Sequence, residues 1–171
     1  MRKLGIIAVL ALLVTALAAV PALAVAPTDI TRTGGLHFTG APNVTGTLEN
    51  NTSFLTATGN VAGAGATGGT ADLSATALVT RGCVTPPGNN EPSGLVRTGE
   101  ATSGTVEFDT TRQGRGSFTV STEPIDIAGF TCPSRNMTPV LVSVTYTDIT
   151  LTVTSQTGTT TATFPDITVS R

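Results

Sequence analysis

The chain has 171 residues, with nine Lys and Arg against eleven Asp and Glu and a formal charge of −2. So few cations, none of them clustered, exclude a phosphate-backbone partner such as nucleic acid and argue equally against an anionic membrane surface. Thirty-five threonines beside a single tyrosine and no tryptophan favour strands, because β-branched side chains are stiff at χ1 and suit a pleated surface better than a helix.

The first 24 residues read as an export signal. Arg2 and Lys3 form a positive start, Gly5 to Val20 is an unbroken apolar run, and Pro21-Ala22-Leu23-Ala24 supplies a helix break and an Ala-x-Ala cleavage site. The run is shorter than the roughly 20 residues that cross a bilayer as a helix. Cleavage after Ala24 leaves 25–171 as one domain. Losing Arg2 and Lys3 from nine cations leaves seven against eleven anions, a net charge of −4. No apolar tail follows Phe164, so the expected location is secreted and extracellular, with no membrane contact after cleavage.

Val25 to Thr33 is a polar lead-in, either loose or an edge strand. Leu36 to Thr39 is a short strand before the Gly40-Ala41-Pro42 turn. Thr52 to Asn60 alternates, with Leu55 and Ala57 opposite Phe54, Thr56 and Thr58. Gly63 to Gly69 is a glycine-rich hairpin loop. Ala71, Leu73, Ala75, Ala77 and Val79 then alternate with Asp72, Ser74, Thr76, Leu78 and Thr80, a period of two in which Leu78 is the one exception. Pro86 to Pro92 cannot continue a strand and forms an exposed loop. Thr102 to Thr110 resumes the alternation with Val106 and Phe108 inward. Gly114-Arg115-Gly116 turns it into Ser117 to Val120 as a second hairpin.

Glu123 to Met137 is irregular. Val140, Val142, Val144 and Tyr146 then alternate until the apolar phase slips at Asp148 and continues as Ile149, Leu151 and Val153. A one-residue slip sends side chains to the other face, so a β-bulge or a change of sheet is expected there. Ser155 to Gly158 turns the chain back, pairing Leu151 and Val153 with Ala162 and Phe164, and Ile167 and Val169 extend the last strand. With no helical period beyond the leader, the pattern predicts an all-β fold. It is an antiparallel sandwich, immunoglobulin-like or jelly-roll, of about seven to nine strands. Cys83 and Cys132, an even pair in an oxidising compartment, are expected to form its one disulfide.

Motifs that could carry chemistry have plainer readings. Gly63-Ala64-Gly65-Ala66-Thr67-Gly68 matches a dinucleotide fingerprint in letters, but a strand follows it where that fingerprint needs a helix N-terminus. His37 is the only histidine, and no nucleophile context accompanies it. Glu107 and Asp109 share a strand face, yet one Tyr and no Trp leave little to hold a sugar ring against paired carboxylates. Neither cysteine has a further Cys or His at ligand spacing. No catalytic residue, metal site or cofactor is predicted.

From Cys132-Pro133-Ser134 through Pro139-Val140-Leu141-Val142-Ser143-Val144-Thr145-Tyr146-Thr147-Asp148-Ile149-Thr150-Leu151-Thr152-Val153, about the last third of the chain resembles small uncharacterised secreted β-rich proteins of actinobacteria. The resemblance implies an exported β domain and brings no catalytic residues with it. The function expected is non-catalytic recognition of an extracellular protein or cell-envelope component. The alternative is a small-molecule or carbohydrate-binding module, ahead of a secreted hydrolase. Loops on a sandwich carry recognition. The contact candidates are therefore Pro87, Asn89, Asn90 and Glu91 in one loop, Arg135 in the irregular segment that the disulfide ties to it, and Arg112 and Arg115 at the glycine turn.

Overall fold

A computed structural model describes residues 24–86 and 92–171. The predicted export signal, Ala24 apart, and the contact candidates Pro87, Asn89, Asn90 and Glu91 lie outside the described residues. Among the described residues ten strands, all antiparallel where they pair, form two sheets. They are β1 (Asp29–Gly34), β2 (His37–Phe38), β3 (Asn43–Glu49), β4 (Thr52–Ala62), β5 (Gly69–Val84), β6 (Ser93–Phe108), β7 (Gly116–Ser121), β8 (Thr138–Ser155), β9 (Gly158–Thr163) and β10 (Ile167–Ser170). The larger sheet runs β1-β9-β8-β5-β6, with β10 also on β8. In the smaller sheet β4 is central, with β3 and β2 along one edge and β7 along the other.

Alternation builds the core as read from the sequence. Ala71, Leu73, Ala75, Ala77 and Val79 of β5 are all buried, and across from them lie Leu55, Ala57 and Val61 of β4. The phase slip in β8 is a bulge within one sheet. Asp148 takes a left-handed φ of 52°, the register against β5 shifts between Ser74 and Thr76, and Tyr146 and Ile149 both end up buried. Asp is among the few residues with a side chain that tolerates this backbone region.

Several local expectations are corrected. The strand β3, which the sequence pattern left unassigned, and the separate β10 bring the count among the described residues to ten rather than seven to nine. The Gly63–Gly69 loop is not a hairpin. It carries the chain from β4 in one sheet to β5 in the other, with Gly63, Gly65 and Gly68 at positive φ and Ala64 buried over the end of the core. The Gly114 turn likewise joins β6 and β7 of different sheets, through the single bridge Thr110–Gly116. The β8–β9 hairpin does form and Leu151 pairs with Ala162, but Val153 faces Thr160, and the Phe164 N–H donates to the Ile149 carbonyl instead. Ile167 and Val169 belong to the separate strand β10, which lies along Ser143–Tyr146 because β9 has already occupied the other half of β8.

Both open sides of the sandwich are laced. On one side Val25 exchanges backbone hydrogen bonds with Val44 of the smaller sheet (2.8 and 3.1 Å) before the chain joins β9 of the larger as β1. On the other, the Glu123 N–H donates to the Ser103 carbonyl (2.9 Å) and the Thr102 hydroxyl to the Glu123 carbonyl (2.9 Å). Gly104 of β6 sits directly against the Ser121 carbonyl, with no room for a Cβ.

The core holds one phenol. Tyr146 is fully buried and its hydroxyl lies 2.8 Å from the Ser53 hydroxyl. Burial pushes its pKa up to about 12 against the opposing effect of that hydrogen bond. The folded state therefore keeps a proton that the unfolded chain loses near pH 10. This contribution is complete below pH 10 and disappears as pH rises through 12. Stability should fall by about 3 kcal/mol across that window, and Tyr146→Phe should flatten the fall. Chemical denaturation at stepped alkaline pH measures it, and identical curves for the two proteins would refute the assignment.

Candidate functional site

The ladder of β5 with β6 runs from Gly69–Phe108 at one end of the sandwich to Cys83–Ser93 at the other, and this places the predicted contact residues. Arg135 lies at the Cys83 end. Arg112 and Arg115 lie at the Phe108 end, beyond the last residue of β6. The structure does not bring the three arginines together.

At the Cys83 end the expected disulfide is formed, with Cys83 and Cys132 Cα atoms 5.9 Å apart. It anchors the irregular segment 122–137 to β5. Arg81 is a second anchor. Its Nε and Nη2 both donate to the Asp126 carbonyl (2.9 and 2.8 Å), while Nη1 donates to Thr98 Oγ1 (2.8 Å) and Glu100 Oε1 (2.6 Å). The hydrogen bond from Arg81 holds the Glu100 carboxyl below its usual range despite partial burial. Asp126 in turn accepts from the Ala128 N–H at 2.7 Å. A loop without regular structure is thus tied to the sheet at Glu123, Asp126 and Cys132, and Arg135 projects from it exposed.

The strands beside this loop carry unexpected apolar surface. Ser93 to Gly99 of β6 is exposed at every residue. Leu78, Leu95 and Val96 are 46%, 54% and 46% exposed, and among the described residues only Ile30 of the other large apolar side chains is comparably open. Leu78 had left a signal in the sequence as the one apolar residue in the outward set of its strand. Leu95 and Val96 had left none, because Pro86 to Pro92 masks where β6 begins.

At the Phe108 end the loop 109–115 and the adjoining strands β4 and β7 enclose an open groove of about 800 Å³. Asp109, Arg115, Asn60, Ser117 and Thr39 line it, over a floor that includes Thr110 and Val61. The Thr110 hydroxyl donates to the Gly65 carbonyl (2.8 Å) and accepts from the Gly68 N–H (3.1 Å). The turn itself is closed by Gly114 N–H to the Thr111 carbonyl (2.8 Å) and braced by Ala64 N–H to the Gly114 carbonyl (3.1 Å). Of the predicted contact residues among the described residues, Arg115 alone lines this groove. Arg112 is exposed outside it.

The residues weighed for catalysis stay apart. His37 Nδ1 lies 3.0 Å from the Gly35 carbonyl oxygen on the short strand β2 and does not line the groove. Glu107 points outward from β6, whereas Asp109 lies beyond its end in the groove wall. The glycine-rich segment 63–68 leads into β5, so no helix N-terminus faces it. Among the described residues no three His, Cys, Asp or Glu side chains are grouped to hold a metal ion. Set against known protein families, curated proteins and solved structures, the chain matches none of them.

Proposed function

We propose that the chain is an exported, non-catalytic recognition domain that contacts an extracellular protein or cell-envelope component through its Cys83–Cys132 end. The observation that carries this reading is the run of seven exposed residues in β6, Ser93–Gly99, in which Val96 shares the sheet face of Arg81 and its braced loop while Leu95, like Leu78, lies on the opposite face. Isolated surface apolar residues need no explanation, but an exposed edge strand with an apolar side chain on each face, next to a rigid loop, offers a partner contact on both sides of one edge. Rigidity matters because ordering a loop on binding costs free energy that a pre-braced loop has already spent in folding. The seven exposed residues of β6 add a strand edge on which a partner's backbone can pair.

Immobilised protein should capture a reproducible partner from culture supernatant or solubilised envelope. Leu95→Asp and Val96→Asp, both at exposed positions that tolerate the change, should lose it by at least tenfold, while Arg112→Ala at the opposite end retains it. A failure to capture anything reproducible, or equal capture by all variants, would overturn the reading.

A further inference from the structure

We infer that the groove at the Phe108 end binds a neutral saccharide, independently of the contact surface proposed at the other end. The inference rests on polar groups that the fold leaves idle. Arg81 shows what a structural arginine looks like in this protein: three of its nitrogens are engaged, and it forms the one ion pair among the described residues. Arg115 and Asp109 form no ion pair with each other or with any described residue. Neither their side chains nor those of Asn60, Ser117 and Thr39 make a hydrogen bond within the described residues, and all five line one concavity. Its base, in contrast, is fixed by the Thr110 and Gly114 hydrogen bonds, so the lining groups are presented by a rigid frame.

The chemistry of the lining selects the ligand class. A carboxylate accepts, a guanidinium donates, and an amide and two hydroxyls do both. An anion drawn to Arg115 would be repelled by Asp109, and a cation drawn to Asp109 would be repelled by Arg115, so the lining does not favour a ligand of net charge. Vicinal hydroxyls fit both, donating to Asp109 and accepting from Arg115 and Asn60. Val61 is the one large apolar residue in this lining and is itself buried, so the groove's apolar surface comes from small methyl and methylene groups set among its polar ones. The volume falls within the range of ligand sites and accommodates one or two sugar rings, while the open mouth leaves them partly solvated. Without an aromatic platform the affinity should be weak.

Amide chemical shifts of the 15N-labelled protein, titrated with N-acetylglucosamine trimer, cellotriose and maltotriose up to about 10 mM, test this at the millimolar affinities expected of a shallow site. At least one probe should shift resonances within Asp109–Ser117 and at Asn60, and Asp109→Ala and Arg115→Ala should each weaken that response at least fivefold with the remaining spectrum intact. Leu95→Asp should leave it unchanged, which separates this site from the proposed protein contact. No shift with any of the three probes, shifts that map elsewhere, or shifts undiminished in both groove variants would overturn the inference.

Discussion

Replacing Cys83 and Cys132 together by Ala should lower the unfolding free energy by about 4 kcal/mol. The bond joins residues 49 apart, and the number follows from the chain entropy that a loop of this length regains in the unfolded state. Stability for a domain of this size totals about 5–15 kcal/mol, so the variant should remain folded but lie close to its limit. The loss should also be uneven. Arg81 still holds the Asp126 carbonyl and Glu123 still pairs with Ser103, so the released stretch is the part of the segment nearest Cys132. Denaturant unfolding of the variant and of the parent, with and without reductant, gives the total. Hydrogen exchange gives the location. A change below about 1 kcal/mol would mean that the other ties already confine the segment in the unfolded ensemble.

Gly104→Ala should cost about 3 kcal/mol by overpacking, seen as a drop of roughly 6–12 °C in Tm for a chain of this length. Backbone conformation is not the obstacle at this position. The added methyl meets the Ser121 carbonyl and the Thr122 Cα, which are main-chain atoms that no rotamer change can clear. Relief requires β6 to move off the 121–123 segment, and this also strains the Glu123–Ser103 and Thr102–Glu123 hydrogen bonds that lace that side of the sandwich. Gly99→Ala on the same strand is the control, since a Cβ there meets nothing within 4 Å. It should be neutral or stabilise slightly by restricting the unfolded chain. Equal effects at the two positions would show that the two sheets are not closed against each other at β6.

What the sequence disclosed, and what it withheld, follows from the range of each interaction. The all-β class, the inward set of β5, the bulge at Asp148 and the Leu151–Ala162 pair all rest on neighbours within one or two strands, and periodicity reports them directly. The Gly63–Gly69 and Gly114 turns were misassigned because glycine at positive φ reverses a chain in the same way whether it rejoins its own sheet or crosses to the other. Which of these happens depends on partners such as Thr154, Ser155 and Ser121, far along the chain. The disulfide was legible from an even pair of cysteines in a chain read as exported. The Arg81 brace was not, since nothing near Arg81 foretells the Asp126 carbonyl 45 residues later. The groove was equally hidden. Its lining combines residue 39, residue 60 and the stretch 109–117, which become neighbours only when both sheets are in place.

The lacing at Val25 and β1 has a kinetic consequence. Thr28 donates through its backbone N–H to the carbonyl of Thr163, 135 residues away, and β1 completes its sheet only on β9. Contacts of such long range must wait for nearly the entire polypeptide, and topologies dominated by them acquire their native form in milliseconds to seconds rather than microseconds. The first strand of the larger sheet therefore stays unpaired until nearly the last one is in place, however early the intervening strands pair.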